Sequence, residues 1–575
     1  SMNGTGARIW KNLTGANIGR RIAIVLDGYV YSAPVINGEI PGGRSSISGS
    51  FTVEEAKDLA NVLKAGKLPA PTRIVEDAFV GPSLGAEAIN QGYLSMALGL
   101  LLVIVFMIGY YGTPGWMANL ALFFNVFFIA GVLVQIQAAL TLPGIAGIVL
   151  TIGTAVDANI LIFERVREEQ AAGLDLTSAI GVGFRKALPS IIDANVTHFL
   201  VALILKIFGT GEIESFATTL IVGIFTSVFS AIIISKLIIS SSLEKGKKVS
   251  FSTKYTHNMF SNFHFDWIGK RKYFYIFSIT VTILGIAAFA TRGLKQSVEF
   301  TGGRTFGVKM EKPADIETVR KAMESVFIEP NGEKSNVEIK TKSNAYNVEI
   351  TTNYLLADAS ATSKVEDKMK EGFAGIKDKS GEITVTDTRS ISASVSEEMW
   401  SSATLSITLA LIAIFAYIFI RFGQWQYSLG AILGLAHDVL FVLSIFSLLH
   451  GILPFSLDVN QAFIAAILTV IGYSMNDTVI VFDRIREEIG VNPDLGNKDL
   501  MIKTINESIN HTMSRTVMTA TTVFLVVTVL LFFGGDVLRG FSFAMFIGVV
   551  FGAYSSIFVA APIVIDFGTS KKVKK

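Results

Sequence analysis

GTAVDANILIFERVREE at residues 153–169 and GYSMNDTVIVFDRIREE at residues 472–488 are one pattern written twice. The copies align without a gap at an offset of about 319, an internal repeat of the kind read before anything else in a chain. Each is an apolar helix holding one carboxylate (Asp157, Asp477), then a charged run where the helix leaves the apolar medium. A carboxylate among ~20 apolar residues is costly, so it faces a bundle interior or a proton or ion path. Apolar helices repeated in both halves of a chain are also a transporter signature.

Composition agrees. Of 575 residues, 51% are hydrophobic and only 17% charged, where a soluble protein carries nearer ~25% charged. The apolar residues gather in runs long enough to span a bilayer. Spans are expected at 93–111, 116–138, 142–163, 187–207, 216–241, 273–291, 399–420, 426–450, 460–482, 512–533 and 541–567. The net charge of +2 and the lack of a basic, aromatic-interleaved patch give no sign of a nucleic-acid partner. With no cysteine there is no disulfide, thiolate zinc site or thiol catalysis.

Lys and Arg fix the orientation. ERVREEQ, FRK (184–186), EKGKK (244–248), GKRK (269–272), DRIREE and the tail KKVKK share one side when the spans alternate, and that side is cytoplasmic by the positive-inside rule. The polar blocks 1–92 and 292–397 then lie opposite. No signal peptide opens the chain and Ser1 precedes Met2, so an upstream span is expected to be missing, and six plus six spans would be the natural symmetry. FGTGEIESF (208–216) with Gly223 matches FGGDVLRGF (533–541) with Gly548, and Ser230 matches Ser555, so the repeat is parallel.

The chain is expected to divide into an α+β block at 1–92, five spans within 93–243, a linker at 244–272 and a span at 273–291. A second α+β block at 292–397, five more spans within 398–567 and a basic tail at 568–575 complete it. In the first block, Asp27-Gly28 marks a hairpin, 48–66 an N-capped helix and 68–77 an extended exit; the core is too thin for a whole domain. In the second, strands at 303–310, 336–342, 346–352 and 382–391 alternate with helices at 313–327 and 363–376, the ferredoxin-like order.

Asp157 and Asp477 lie at similar depth, Asp157 roughly 10 Å from the cytoplasmic end at 1.5 Å per residue. Arg515 lies about a turn inside its span, and Asp193 sits comparably in the matching helix. Buried charges need such partners, and a carboxylate that loses its arginine takes up a proton, so the set reads as a proton relay. The bland alternative is a static ion pair, or an Arg515 that snorkels to the headgroups. Asp193 is equally a polar helix–helix contact, and His437 with Asp438 equally an interhelical hydrogen bond. Asn476 is a further secondary candidate. His198 reads as structural, Lys206 and Lys236 as snorkelling, and Arg165, Arg167, Arg484 and Arg486 mainly as topology signals. No HExxH, nucleophile elbow, phosphate loop or dinucleotide fingerprint is present, so enzyme activity, metal and cofactor have no support.

GTAVDANILIFERVREE, DANVT and FGTG resemble the SecD half, and MNDTVIVFDRIREE, HTMSRTVMTATT and FGGDVLRGFSFAMFIGVVFGAYSSIFVAAP the SecF half, of the SecDF protein-export family. AIVLDGYVYSAPVI is similar to the end of that family's first periplasmic domain. The resemblance implies membership of the resistance–nodulation–division superfamily and a multi-pass protein of the bacterial inner membrane with periplasmic α+β domains. It further implies that the proton gradient, or sodium in some marine members, drives late export of unfolded preproteins through SecYEG. YajC-like and insertase components are the further partners implied, and membrane lipid surrounds the spans. By motif position the family's essential charges fall on Asp157, Asp477 and Arg515. The beginning departs: the family's first span and most of its first domain, including a mobile head subdomain, are expected to be absent. Two other classes stay open, a small-molecule or lipid exporter of the same superfamily and a non-conducting Sec scaffold.

Overall fold

The computed structural model describes residues 2–26, 29–49, 52, 56–57, 60, 76–246, 249–257, 259, 263–313, 315–341, 346–358, 361–453, 455–491 and 498–567. It forms two compact units, Ser1–Ile74 and Val75–Lys575.

In the first unit, helix α1 (Gly4–Ala16) starts at Asn3, whose side chain accepts a hydrogen bond from the Gly6 backbone N–H at 2.8 Å. That cap satisfies an orphan donor of the helix start. The sequence reading gives no helix here, because glycines at 4, 6 and 15 depress helix propensity. Strands β1 (Ile24–Leu26) and β2 (Tyr29–Ser32) pair antiparallel as the expected hairpin, and its turn, Asp27-Gly28, lies outside the described residues. The helix expected over 48–66 falls largely outside them too.

The second unit opens with β3 (Glu76–Val80), which joins a five-stranded antiparallel sheet with β4 (Gly303–Met310), β5 (Val337–Thr341), β6 (Asn347–Thr352) and β7 (Ile383–Ile391) in the order β3-β7-β4-β6-β5. Without β3 this is the ferredoxin-like domain expected from β-α-β-β-α-β. The expected block 1–92 is therefore divided: of the extended exit expected at 68–77, residues 76–77 are extended as the start of the sheet's edge strand, and 68–75 lie outside the described residues. Strand β6 alternates buried and half-buried residues, so Val348 and Ile350 meet Phe306, Met323 and Met369 in a core of their own.

Eleven helical segments among the described residues are long and apolar enough to cross a membrane. The first half holds α2 (Pro82–Tyr111), α3 (Thr113–Gln135), α4 (Leu142–Ala155) with α5 (Asp157–Ala171), α6 (Leu176–Phe208), and α7 (Glu212–Phe229) with α8 (Ser235–Glu244). The second holds α9 (Arg271–Arg292), α10 (Ala393–Phe422), α11 (Trp425–Leu449), α12 (Gln461–Val491), α13 (Lys498–Phe533), and α14 (Gly535–Ser555) with α15 (Ala561–Asp566). The helix of the first span begins at Pro82, where Gly81 and Pro82 start it directly after β3, and its span runs Gly85–Tyr111 rather than 93–111. The sheet thus caps one end of the bundle (the domain end), and the Lys/Arg-rich runs mark the other (the basic end).

The repeated helices are the most enclosed. The apolar stretch of α12 is wholly buried, whereas α9 is mostly on the outside. Matched small residues allow this: a Cβ on Gly223 would collide with Thr151 of α4, and one on Gly548 with Val470 of α12. Five-residue π turns at Ser230–Ile234 and Ser556–Ala560 interrupt the last span of each half at corresponding places; such turns are frequent at functional sites.

Candidate functional site

The span carrying Asp157 is not one continuous helix. It breaks at Val156, and Asp157 is the first residue of α5. Its Oδ1 lies 3.1 Å from Thr522 Oγ1 of α13, a hydroxyl that shares its one proton between this carboxylate and the Thr519 carbonyl at 2.8 Å. Thr519, three residues earlier on the same helix, places its hydroxyl 3.5 Å from Asp477 Oδ1. That hydroxyl also faces the Arg515 and Thr516 carbonyls at 3.1 Å, and it has one proton to share. Asp477 Oδ2 is buried without a partner. One carboxylate from each half therefore comes to a single stripe of α13.

Arg515 lies on α13 one turn toward the basic end, but neither aspartate is its ion-pair partner. Its guanidinium reaches Glu168 at 3.8 Å, and its Nε is buried without a partner. The expected cluster of three is thus two groups stacked along the bundle axis. The reason lies in the charged runs following the repeats. Arg165 contacts Glu168 at 2.6 Å and both oxygens of Glu487 at 2.8 Å, while Arg484 contacts Glu487 at 3.1 Å and Glu488 at 2.9 Å. Glu164 accepts from Tyr111, Arg167 and Ser514. These arginines interlock the two halves, more than the topology signals expected of them, and Arg515 joins that layer through Glu168.

Asp193 stands apart from the carboxylate pair. It accepts from Tyr417 at 2.8 Å and pairs with Arg421 at 2.7 Å, fastening α6 to α10. Asp438 accepts from Ser474 and Ser555, both at 2.6 Å, with His437 Nδ1 at 3.1 Å, a node joining α11, α12 and α14 in which His437 Nε2 is buried without a partner among the described residues. Asn476 Oδ1 and Tyr473 OH are buried without partners and line one cavity with Asp157, His198 and Asn195. Lys206 pairs with Glu214 at 2.6 Å. Lys236 lies 6.0 Å from the Phe184 ring.

Sequence reasoning missed Thr519, Thr522, Tyr473, Tyr417 and Arg421. The threonines were within reach, since they follow Arg515 by four and seven residues and so share its helix face.

The sheet touches both halves. Arg389 of β7 pairs with Glu212 at the start of α7 at 3.0 Å, and also with buried Glu299, which accepts from the Gln461 backbone N–H at the start of α12 at 2.5 Å.

Fold and site together define a polytopic helical membrane protein of two parallel halves, with buried carboxylates at the seam and an α+β domain at one end. The family description "Protein export membrane protein SecD/SecF, C-terminal" matches residues 63–245 and 373–570, and that of the SecD/SecF GG motif matches residues 287–314. The chain is 36% identical to the protein translocase subunit SecDF of Thermus thermophilus, covering 99% of this chain and 74% of that protein. It is 34% identical to SecDF of Bacillus subtilis, covering 92% and 71%. A crystal structure of SecDF from Thermus thermophilus, described as translocon-associated, superposes with a TM-score of 0.78 at 35% identity over 98% of this chain and 74% of that one. The chain belongs to the SecDF family of protein-export membrane proteins. The description of the SecDF P1 head subdomain matches residues 1–70, which corrects the expectation that the head has no counterpart here.

Proposed function

We propose that this protein couples ion flow through its helix bundle to the export of unfolded polypeptide. The observation that carries the reading is the meeting of Asp157 and Asp477 on Thr522 and Thr519 of one helix. Neither has an ion-pair partner among the described residues. A charge buried without a cation is costly, and a proton removes it. The charge state of the pair is therefore tied to the distance of Arg515, one turn away. Arg515 and Asp477 share the second half, so relative motion of the halves changes the distance from Arg515 to Asp157, and Arg389 carries such motion to the sheet. A proton is the coupling ion in this reading, with sodium the alternative. The SecYEG translocon is the partner, and YajC-like and insertase components are further ones. The basic end faces the cytoplasm and the sheet the periplasmic side of the inner membrane.

The test uses membrane vesicles with and without a proton gradient, following a preprotein into protease protection. Asp157→Asn and Asp477→Asn each abolish the gradient-dependent part of export while leaving the thermal midpoint near that of the parent. Gradient-dependent export at the parental level in both variants refutes the reading.

A further inference from the structure

Two cavities lie in line along the bundle axis, the first at Asp157 and the second nearer the basic end. The first, about 50 Å³, is lined by Asp157, Asn476, Tyr473 and His198 and extends toward the domain end as far as Leu150 and Thr469. The second, about 20 Å³, lies toward the basic end and is lined by Arg515, Arg165, Lys186, Asp483 and Glu487. Both are large enough for water, which needs about 10–15 Å³ and a few polar partners. The unpartnered Tyr473 hydroxyl and Asn476 carbonyl face the first. Leu161 lines both cavities and is 2% exposed. Its counterpart in the second repeat, Ile480, lines the second cavity and is 1% exposed. The repeat has thus placed an aliphatic side chain from each half just beyond the carboxylates, between the mainly apolar chamber that holds Asp157 and a charged one.

We infer that Leu161, seconded by Ile480, is the barrier that keeps the two chambers from joining into a continuous water path. This rests on the ion-coupling reading and adds the element that reading lacks. A relay held between two wet chambers leaks unless something dry separates them, and an apolar constriction does so by excluding water. The break at Val156 lies little more than one turn from Leu161, so rotation of α5 against α4 moves the barrier and Asp157 together. Opening toward one chamber then accompanies presentation of the carboxylate to it.

The full chain is reconstituted in liposomes with a pH-sensitive dye inside, and a potential is imposed. Leu161→Ala raises proton entry by about tenfold, the factor that 1.4 kcal/mol of barrier carries, whereas Leu161→Met, which restores the bulk, stays near the parent. No rise in a folded Leu161→Ala overturns the barrier. Adding Asp157→Asn separates the two claims. If the leak disappears, the path runs through the carboxylate. If it persists, the barrier stands and the relay role of Asp157 falls. Should Leu161→Ala fail to fold, the cysteine-free chain offers a second route. Thr154→Cys, in the first chamber, reacts with a membrane-impermeant thiol reagent from the domain side only, and Ser190→Cys, in the second, from the basic side only. Labelling of either from both sides overturns the proposal.

Discussion

The two repeat helices share a sequence and differ in two ways that matter. The first is broken at Val156 and the second runs unbroken from Gln461 to Val491. The aspartates are also out of step. In the gapless alignment Asp157 faces Asn476, and Asp477 faces Ala158. One residue is about 100° of helix rotation. Had the carboxylates been equivalent, each would point at its own side of the pseudo-twofold arrangement. The stagger instead turns both to the same helix, α13, and leaves Asn476 in the cavity beside Asp157. A duplicated architecture supplies the scaffold, and the two carboxylates reach one helix because the copies disagree.

The most severe way to break this comparison is to remove the stagger. Asp157→Asn with Ala158→Asp gives the first repeat the register of the second. We expect gradient-dependent export to fall to the level seen without a gradient; parental export in vesicles would show that the register is irrelevant. Next in size is the static pair. Arg421→Ala leaves Asp193 with the Tyr417 hydroxyl and no cation, and since Arg421 is 24% exposed the loss is about 2 kcal/mol, below the ~3–5 of a fully buried pair. It is read as a lower thermal midpoint in detergent with the gradient dependence of export retained. Smaller is the contrast between the threonines. Thr522→Val removes a shared hydroxyl 3.1 Å from Asp157 and Thr519→Val one 3.5 Å from Asp477. The first slows gradient-driven export by about tenfold and the second by about threefold or less, since a bond to a charged group contributes ~1.5–3 kcal/mol only at good geometry. Equal effects would mean that the two carboxylates are held alike.

The smallest effect lies outside the membrane. Asp175 caps α6, and the Ser178 hydroxyl and backbone N–H hold its carboxyl below the usual range. Its stabilising contribution is present above the unfolded value near ~3.9 and is lost as pH falls through the folded one. Asp175→Ala therefore lowers the thermal midpoint slightly at pH 7, and the gap closes in acid. A gap that widens in acid would contradict the cap.

Spans, repeat and ferredoxin-like order were legible because each is a local pattern: run length for Leu142–Ala171, alternation for Asn347–Thr352, strand and helix signals in turn for 303–391. What escaped was non-local. Nothing near TRIVEDAFV says that residues 76–80 pair with 387–391 from the far half of the chain. Arg515 is a buried arginine in search of a carboxylate, and sequence offered Asp157 and Asp477 at similar depth. The answer, Glu168, sat in the same motif, read there only as a solvated exit. The break at Val156 leaves no glycine or proline to announce it. The one-residue offset of the aspartates, by contrast, is plain in the alignment, and so is the spacing of Arg515, Thr519 and Thr522.

Arg389 holds Glu212 of one half and Glu299 of the other, and Glu299 in turn holds the first residue of α12. A crossbar bolted to two posts ignores any drift the posts make together. It strains only when one rises past the other. The linkage is therefore blind to tilting of the two halves together and strains with shear between them, the displacement that carries Asp157 of the first half past Arg515 and Asp477 of the second.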